Sequence, residues 1–194
     1  MGAVNRAWRK AAGGHGPAGA TVRSLAVANV ALRPAVAADA EAIRQIYNHE
    51  VTTATSTFDL VARSLDDQQR WIADRSGAFS AIVAIGESMD GLPVVGFGSL
   101  SPYKDRAAYS TTVEDSVYVD RRRAGRGVGT ALLTGLVETA AASGFHAVMA
   151  RIEASGTASR ALHVKCGFEL VGIERQVGRK FNHWLDVAVM QRLL

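Results

Sequence analysis

At 194 residues, with 48% apolar and 21% charged side chains, the chain suits one domain plus an extension. Its single cysteine excludes an intrachain disulfide framework and suits a reducing cytoplasm. No apolar run approaches the roughly 20 residues of a membrane span, so no membrane partner is expected. The net charge of +4 is concentrated: residues 1–38 hold five basic side chains and no acidic one, leaving the remainder one unit negative. Without a basic folded face or aromatic reading elements, a nucleic-acid partner is not expected.

Residues 1–28 read as a flexible basic N-terminal extension, rich in Ala and Gly, with GGHGPAG at Gly13 to Gly19. An organellar transit peptide is the other reading of this acid-free stretch. The domain proper is expected over residues 29–194. Val30 to Pro34 reads as a strand stopped by proline. Asp39 opens an amphipathic helix with Ile43, Ile46 and Tyr47 on one face. Thr52 to Thr57 is a loop ending at Phe58. Ser64 and Asp67 have capping-box spacing for a second helix through Trp71 and Ile72. Ser80 to Ile85 is a strand, turned at Met89-Asp-Gly91 into Val94 to Ser101.

Lys104 to Ala108 is a polar connection, and Tyr109 to Val119 a strand. A basic, glycine-rich turn follows from Arg121 to Gly129, then a helix to Ser143. Ala147 to Ile152 is a strand and Thr157 to Lys165 a short helix closed by Gly167 in a left-handed cap. Phe168 to Gly172 and Leu185 to Leu193 complete the sheet. The order β-α-α-β-β-β-α-β-α-β-β is that of an α/β domain with a mixed sheet.

The turn carries the chemistry. A glycine turn opening a helix presents unpaired N–H groups and the positive end of the helix dipole, which suits a phosphate or diphosphate. Arg121, Arg122, Arg123 and Arg126 add positive charge there. It is not a Walker loop, because no Lys precedes Thr130. It is not a dinucleotide fingerprint either, because the third glycine would fall at Thr130 or Leu132. Read alone, the turn is equally an ordinary strand-to-helix connection.

Together with IYNHE (Ile46 to Glu50), TSTFD (Thr55 to Asp59), TVEDSVYV (Thr112 to Val119), GRGVGT (Gly125 to Thr130), ALHVKCGF (Ala161 to Phe168) and FNHWLDV (Phe181 to Val187), the chain resembles GNAT-superfamily N-acetyltransferases. It is most similar to the branch of phosphinothricin and methionine sulfoximine acetyltransferases, over about Ala31 to Leu193. The resemblance implies a mixed central sheet with splayed parallel strands flanked by helices. It implies acetyl-CoA as cosubstrate, with Val117, Tyr118 and Val119 along the pantetheine arm. Gly125, Arg126, Gly127, Val128, Gly129 and Thr130 would surround the diphosphate. Two positions depart from the family: Ala124 replaces a usual Gln or Arg, and Gly156 replaces an Asn at the coenzyme, where Ser155 or Thr157 could supply a hydroxyl.

Acetyl transfer to an amine needs a base, an oxyanion site and a proton for the thiolate. By resemblance Glu114 is the base, backbone N–H near Val119 meets the oxyanion, and His163 stands where relatives carry a Tyr facing the sulfur. Read from residues alone, Glu114 could be a strand-edge ion-pair partner and His163 a structural helix residue. Phe58, Lys104, Arg106, Ala107, Ala108 and Tyr109 fall in segments that line the acceptor site of relatives. Asn48, His49, Asn182, His183 and Trp184 read as architectural or as part of a dimer-completed pocket.

His49, His146, His163 and His183 lack metal-ligand spacing, so no metal is expected. The expected protein is a cytoplasmic homodimer acetylating the α-amine of a small amino-acid analogue, by direct transfer. The alternatives are an acetyltransferase for a polyamine, an aminoglycoside or a protein N-terminus, and a non-catalytic acyl-CoA-binding regulator.

Overall fold

Alternation of β-branched and small residues builds one sheet, whose two faces take different helices. A computed structural model describes residues 23–25, 30–87 and 93–194. Among these, strands β1 (Arg23–Leu25), β2 (Val30–Pro34), β3 (Ile82–Ile85), β4 (Val94–Pro102), β5 (Thr112–Val119), β6 (Ala147–Glu153), β7 (Glu169–Lys180) and β8 (His183–Leu193) form an eight-stranded sheet. Its order is β1-β2-β3-β4-β5-β6-β8-β7, and only the β5–β6 neighbours run parallel.

Helix α1 (Ala40–Thr53) covers one face of the sheet, packing Ile43, Tyr47 and Val51 against Val83 and Phe97. Their spacing of four residues sets one stripe of the helix. Helix α2 (Leu65–Ala73) lies beside it, opened by the expected capping box: Ser64 accepts from the Asp67 amide. The opposite face holds α3 (Val128–Ala142), whose Leu132, Leu133 and Leu136 are fully or nearly fully buried. Gly96 and Gly98 on β4 allow this close approach, because a Cβ on either would stand 3.0 Å from a leucine of α3. Helix α4 (Thr157–Lys165) ends at Gly167, left-handed at φ 82°, with the Phe168 amide bonded to the His163 carbonyl as expected for the cap.

Three boundaries differ from the sequence expectation. Arg23–Leu25, within the expected flexible extension, pairs antiparallel with β2; the rest of that extension and the Met89–Gly91 turn lie outside the described residues. Ala107–Tyr109 is a 3-10 turn, so β5 starts at Thr112. The last two strands form a longer hairpin than expected. Phe181 and Asn182 both adopt positive φ and connect them in a two-residue turn.

Candidate active site

The parallel pair is also where the sheet opens. β5 keeps β4 as partner from Val113 to Val119, but meets β6 only from Thr112 to Glu114. β6 meanwhile keeps β8 from Ala147 to Glu153. Beyond Glu114 and Met149 the two parallel strands therefore part, leaving the inner edge of Asp115 to Val119 without a strand partner. Main-chain groups on such an edge are available to an extended ligand.

The open end of this fork leads into the glycine turn. Asp120 caps a 3-10 turn over Arg121–Arg123, and the chain then passes through Gly125 at φ 75° and Gly127 at φ 82°. Both are left-handed, a region costly for a residue with a Cβ. Gly127 is the N-cap of α3, and no side chain caps the helix. Its first backbone bond runs from Ala131 to Gly127, so the amides of Val128, Gly129 and Thr130 point out of the helix end. Of the four turn arginines, Arg121 makes two bonds to the buried Glu50 carboxylate, at 2.8 and 2.9 Å. Arg122 pairs with Asp120 and Arg123 reaches the Glu87 carbonyl. Among the described residues, Arg126 has no ion-pair partner, which leaves its charge for a ligand.

Glu114 stands at the apex of the fork, half-buried, in register with Ser101 and Met149. Burial pushes its carboxyl above the usual carboxylate range; Arg151 opposes this, while Asp115 and Glu174 add to it. Asp115, on the other face, is 7% exposed and faces His163 at 3.2 Å. The second ring nitrogen of His163 donates to the Ser159 carbonyl at 2.7 Å, and its ring packs edge-on against Phe168. Burial pulls the imidazole down, but the Asp115 carboxylate outweighs it, and the net shift is upward. Both ring nitrogens are thus engaged within the protein. Delivery of a proton to a thiolate would require one of those bonds to break, so the geometry favours the structural reading of His163.

The other expected residues fall into separate places. Lys104 lies over the rings of Tyr103 and Tyr109, at 4.8 and 5.3 Å, beside the closed end of the fork. Arg106, Ala107 and Ala108 are exposed on the same connection. Phe58 instead packs over Gly178 of β7. Gly156 makes the turn before α4, where a Cβ would stand 2.9 Å from the Glu153 carbonyl oxygen, so glycine is a requirement of this turn. Ser155 directs its hydroxyl to Glu153, which leaves Thr157 as the hydroxyl source of the two.

Sequence reasoning missed the network that fixes the loop after α1. The Glu50 carboxylate takes Arg121 and Ser56, and the buried Lys180 ammonium donates to the Thr57 carbonyl at 2.8 Å. Tyr47 donates to Asp59, and Asn48 brackets the Arg63 main chain, bonding both its amide and its carbonyl. These two bonds fit the architectural reading of Asn48. Two cavities adjoin these elements. One, of about 320 Å³, separates α1 from the arginine turn and is lined by Gln45, His49, Glu50, Asp120 and Arg121. The other, of about 100 Å³, lies between α1, α2 and the β4–β5 face that carries Glu114.

With the forked parallel pair and the uncapped, glycine-led helix in place, the sequence decides the family: residues 32–189 match the Acetyltransferase (GNAT) domain. The chain belongs to the GNAT acetyltransferase family. It is 34% identical to the phosphinothricin N-acetyltransferase of Streptomyces coelicolor, covering 86% of this chain and 98% of that protein. It is 35% identical to the L-methionine sulfoximine/L-methionine sulfone acetyltransferase of Pseudomonas aeruginosa, covering 84% and 94%. Among solved structures, a GNAT phosphinothricin acetyltransferase from Sinorhizobium meliloti in complex with acetyl-CoA superposes with a TM-score of 0.79. That match is 35% identical and covers 86% of this chain and 89% of the other.

Proposed function

We propose that this GNAT protein uses acetyl-CoA to acetylate the α-amine of a small amino-acid analogue of the phosphinothricin, methionine sulfoximine or methionine sulfone type. The observation that carries the reading is the fork with a half-buried carboxylate at its apex and an uncapped helix at its mouth. The coenzyme's diphosphate would lie on the amides of Val128 to Thr130, with Gly125 and Gly127 shaping the turn and Arg126 adding charge. Its pantetheine arm would run along Val117 to Val119, against the unpaired edge of β5.

In this reading Glu114 removes a proton from the substrate ammonium, directly or through one water. The freed amine attacks the thioester carbonyl, and a main-chain N–H near Val119 meets the oxyanion. The carbon–sulfur bond then breaks, and the thiolate takes up the proton that the newly bonded nitrogen gives off. Transfer is direct: Cys166, the one cysteine, is 7% exposed at the end of α4 and burial raises its thiol. Lys104, Arg106 and Tyr109 would offer cationic and hydroxyl groups to the acceptor carboxylate, with Ala107 and Ala108 forming its floor. The cations speak against a polyamine or aminoglycoside. We propose a homodimer, because the β7–β8 hairpin exposes Val171, Ile173, Val177, Phe181 and Trp184 together. A cytoplasmic setting, and resistance to a toxic amino-acid analogue, complete the proposal. Among the described residues no helix is long and apolar enough to cross a membrane.

The test is thiol release from acetyl-CoA with each of the three acceptors, beside a polyamine, an aminoglycoside and an N-terminal peptide. Release above the blank is expected for at least one amino-acid analogue. Blank rates for all three would remove the substrate reading, and acetyl-CoA binding without turnover on any amine would favour a regulator. A second expectation concerns the turn. Gly127→Val places a β-branched residue at φ 82°, at a cost of about 1–3 kcal/mol. Relaxation of the turn would misalign the amides, so calorimetry should show coenzyme affinity reduced roughly tenfold to a hundredfold. Unchanged affinity would argue that the diphosphate binds elsewhere.

A further inference from the structure

The smaller cavity differs from the fork in its chemistry. Its walls are Arg63 and Arg75, three serines of β4 and β5 (Ser99, Ser101, Ser116), and the rings of Tyr47, Trp71, Phe97 and Tyr118. The guanidinium of Arg63 stacks 3.7 Å from the Tyr47 ring centroid, and that of Arg75 lies 3.7 Å from the centroid of Trp71. Stacking fixes both planes; one Nη of each already donates within the protein, Arg63 to the Gln68 side-chain oxygen at 3.3 Å and Arg75 to the Trp71 carbonyl at 3.2 Å, which leaves the remaining N–H groups for a ligand. Among the described residues the only carboxylate in salt-bridge range of either guanidinium is Asp59, at 3.6 Å from Arg63, and Asp59 already accepts from Tyr47.

Two donors are buried without an acceptor: Nε of Arg75, which lines the cavity, and Nε2 of Gln68, which lies behind it with its side-chain oxygen on Arg63. Buried donors are ordinarily satisfied, so the unpaired Nε of Arg75 is a place for an acceptor in this cavity. Burial and then the neighbouring Arg63 draw the Arg75 guanidinium down to about 10, against Asp74, which acts to raise it. No carboxylate lines the cavity.

Resting on the acetyltransferase reading, the geometry points to this cavity as the subsite for the acceptor's side-chain acid: a phosphinate-type group whose oxygens take Arg63, Arg75 and the serine hydroxyls. Strand alternation puts Glu114, Ser116 and Tyr118 on one face, so the cavity begins one register step from the apex carboxylate. Two residues along a strand are about 7 Å. In phosphinothricin the phosphorus is four bonds from the amine, a comparable reach. An amine at Glu114 therefore directs such a side chain towards the serines. A volume of about 100 Å³ admits a compact oxyanion head and excludes a sugar or a peptide. A neutral sulfone would fit with fewer strong bonds, and an aliphatic side chain would leave the donors unpaired.

The test compares the kcat/KM ratio for phosphinothricin over methionine in the wild type and in Arg63→Met and Arg75→Met, which keep an apolar stem on the rings. The ratio should fall at least tenfold in each variant, with the methionine value little changed. Because it is taken within one protein, partial loss of folding cancels. A ratio that stays constant, or both acceptors failing in parallel, would overturn the assignment. Calorimetry with the deaminated acceptor, 4-(hydroxymethylphosphinyl)butanoate, reads the subsite without turnover. Binding lost in Arg75→Met supports the subsite even in a protein that transfers no acetyl group, and absence of binding to the wild type sinks it. The acetyltransferase reading fails separately, on absence of turnover with every acceptor.

Discussion

Replacing Glu114 with Gln should lower kcat/KM for acetyl transfer by about 100- to 10,000-fold, the range in which a positioned base contributes, while leaving coenzyme affinity intact. The side chain sits at the last register pair before the strands part, and its main-chain neighbours hold β4 and β6. Glutamine preserves that pairing and the side-chain volume, so the change removes the base and little else. The pH profile should follow. Burial raises the Glu114 carboxyl above the ordinary range near 4.5, despite Arg151. The deprotonated form is the base, so kcat/KM must rise with pH through that raised value, and its acidic limb should lie above the usual carboxylate range. In Glu114→Gln that limb should vanish. A variant with wild-type kcat/KM, or with the same limb, would remove Glu114 from the chemistry.

The second large effect concerns stability. Asp115→Ala should destabilise the fold by about 3 kcal/mol, the low end for breaking a buried ion pair, because His163 can lose its proton and leave no uncompensated charge behind. Asp115 and His163 side chains are only 2% and 5% exposed, and the pair joins β5 to α4 behind the fork. The pair also sets a pH dependence. His163 is raised in the folded protein, so its contribution is fully present below the unfolded value, near 6.5, and fades as pH climbs through the folded value. Urea melts across this window should show wild-type stability decreasing with pH and a flatter curve for Asp115→Ala. A variant within 1 kcal/mol of wild type with the same slope would mean that the pair contributes nothing.

Local chemistry was legible in the sequence where it is local. The capping box at Ser64, the glycine cap after α4 and the apolar stripe of α1 depend on residues within one or two turns of each other. The strand, glycine turn and helix of the coenzyme segment are likewise contiguous, and the family motifs lie on them. What periodicity could not report is register. The fork exists because β6 follows β8 and leaves β5, a choice made by residues 34 to 46 positions further along the chain. The Glu50–Arg121 bond spans 71 residues and the Lys180–Thr57 bond 123, and neither partner carries a local signature.

The closing hairpin escaped for a different reason. Phe181-Asn182 takes the left-handed turn that Asn-Gly would announce, and the strand before it, with register shifts and a positive φ at Gln176, lacks alternation. Nothing in the local sequence marks Arg63 and Arg75. Only the stacking of their guanidiniums on Tyr47 and Trp71, above serines from two other strands, sets them facing one cavity.

The central claim is that the diverging β5 and β6, with the bare start of α3, hold the coenzyme. Calorimetric titration of the full chain with acetyl-CoA, paired with a thermal melt, tests it most directly. The account predicts a saturable heat at one site per chain and a melting temperature that climbs with coenzyme concentration. A flat titration together with an unmoved melting temperature would contradict it.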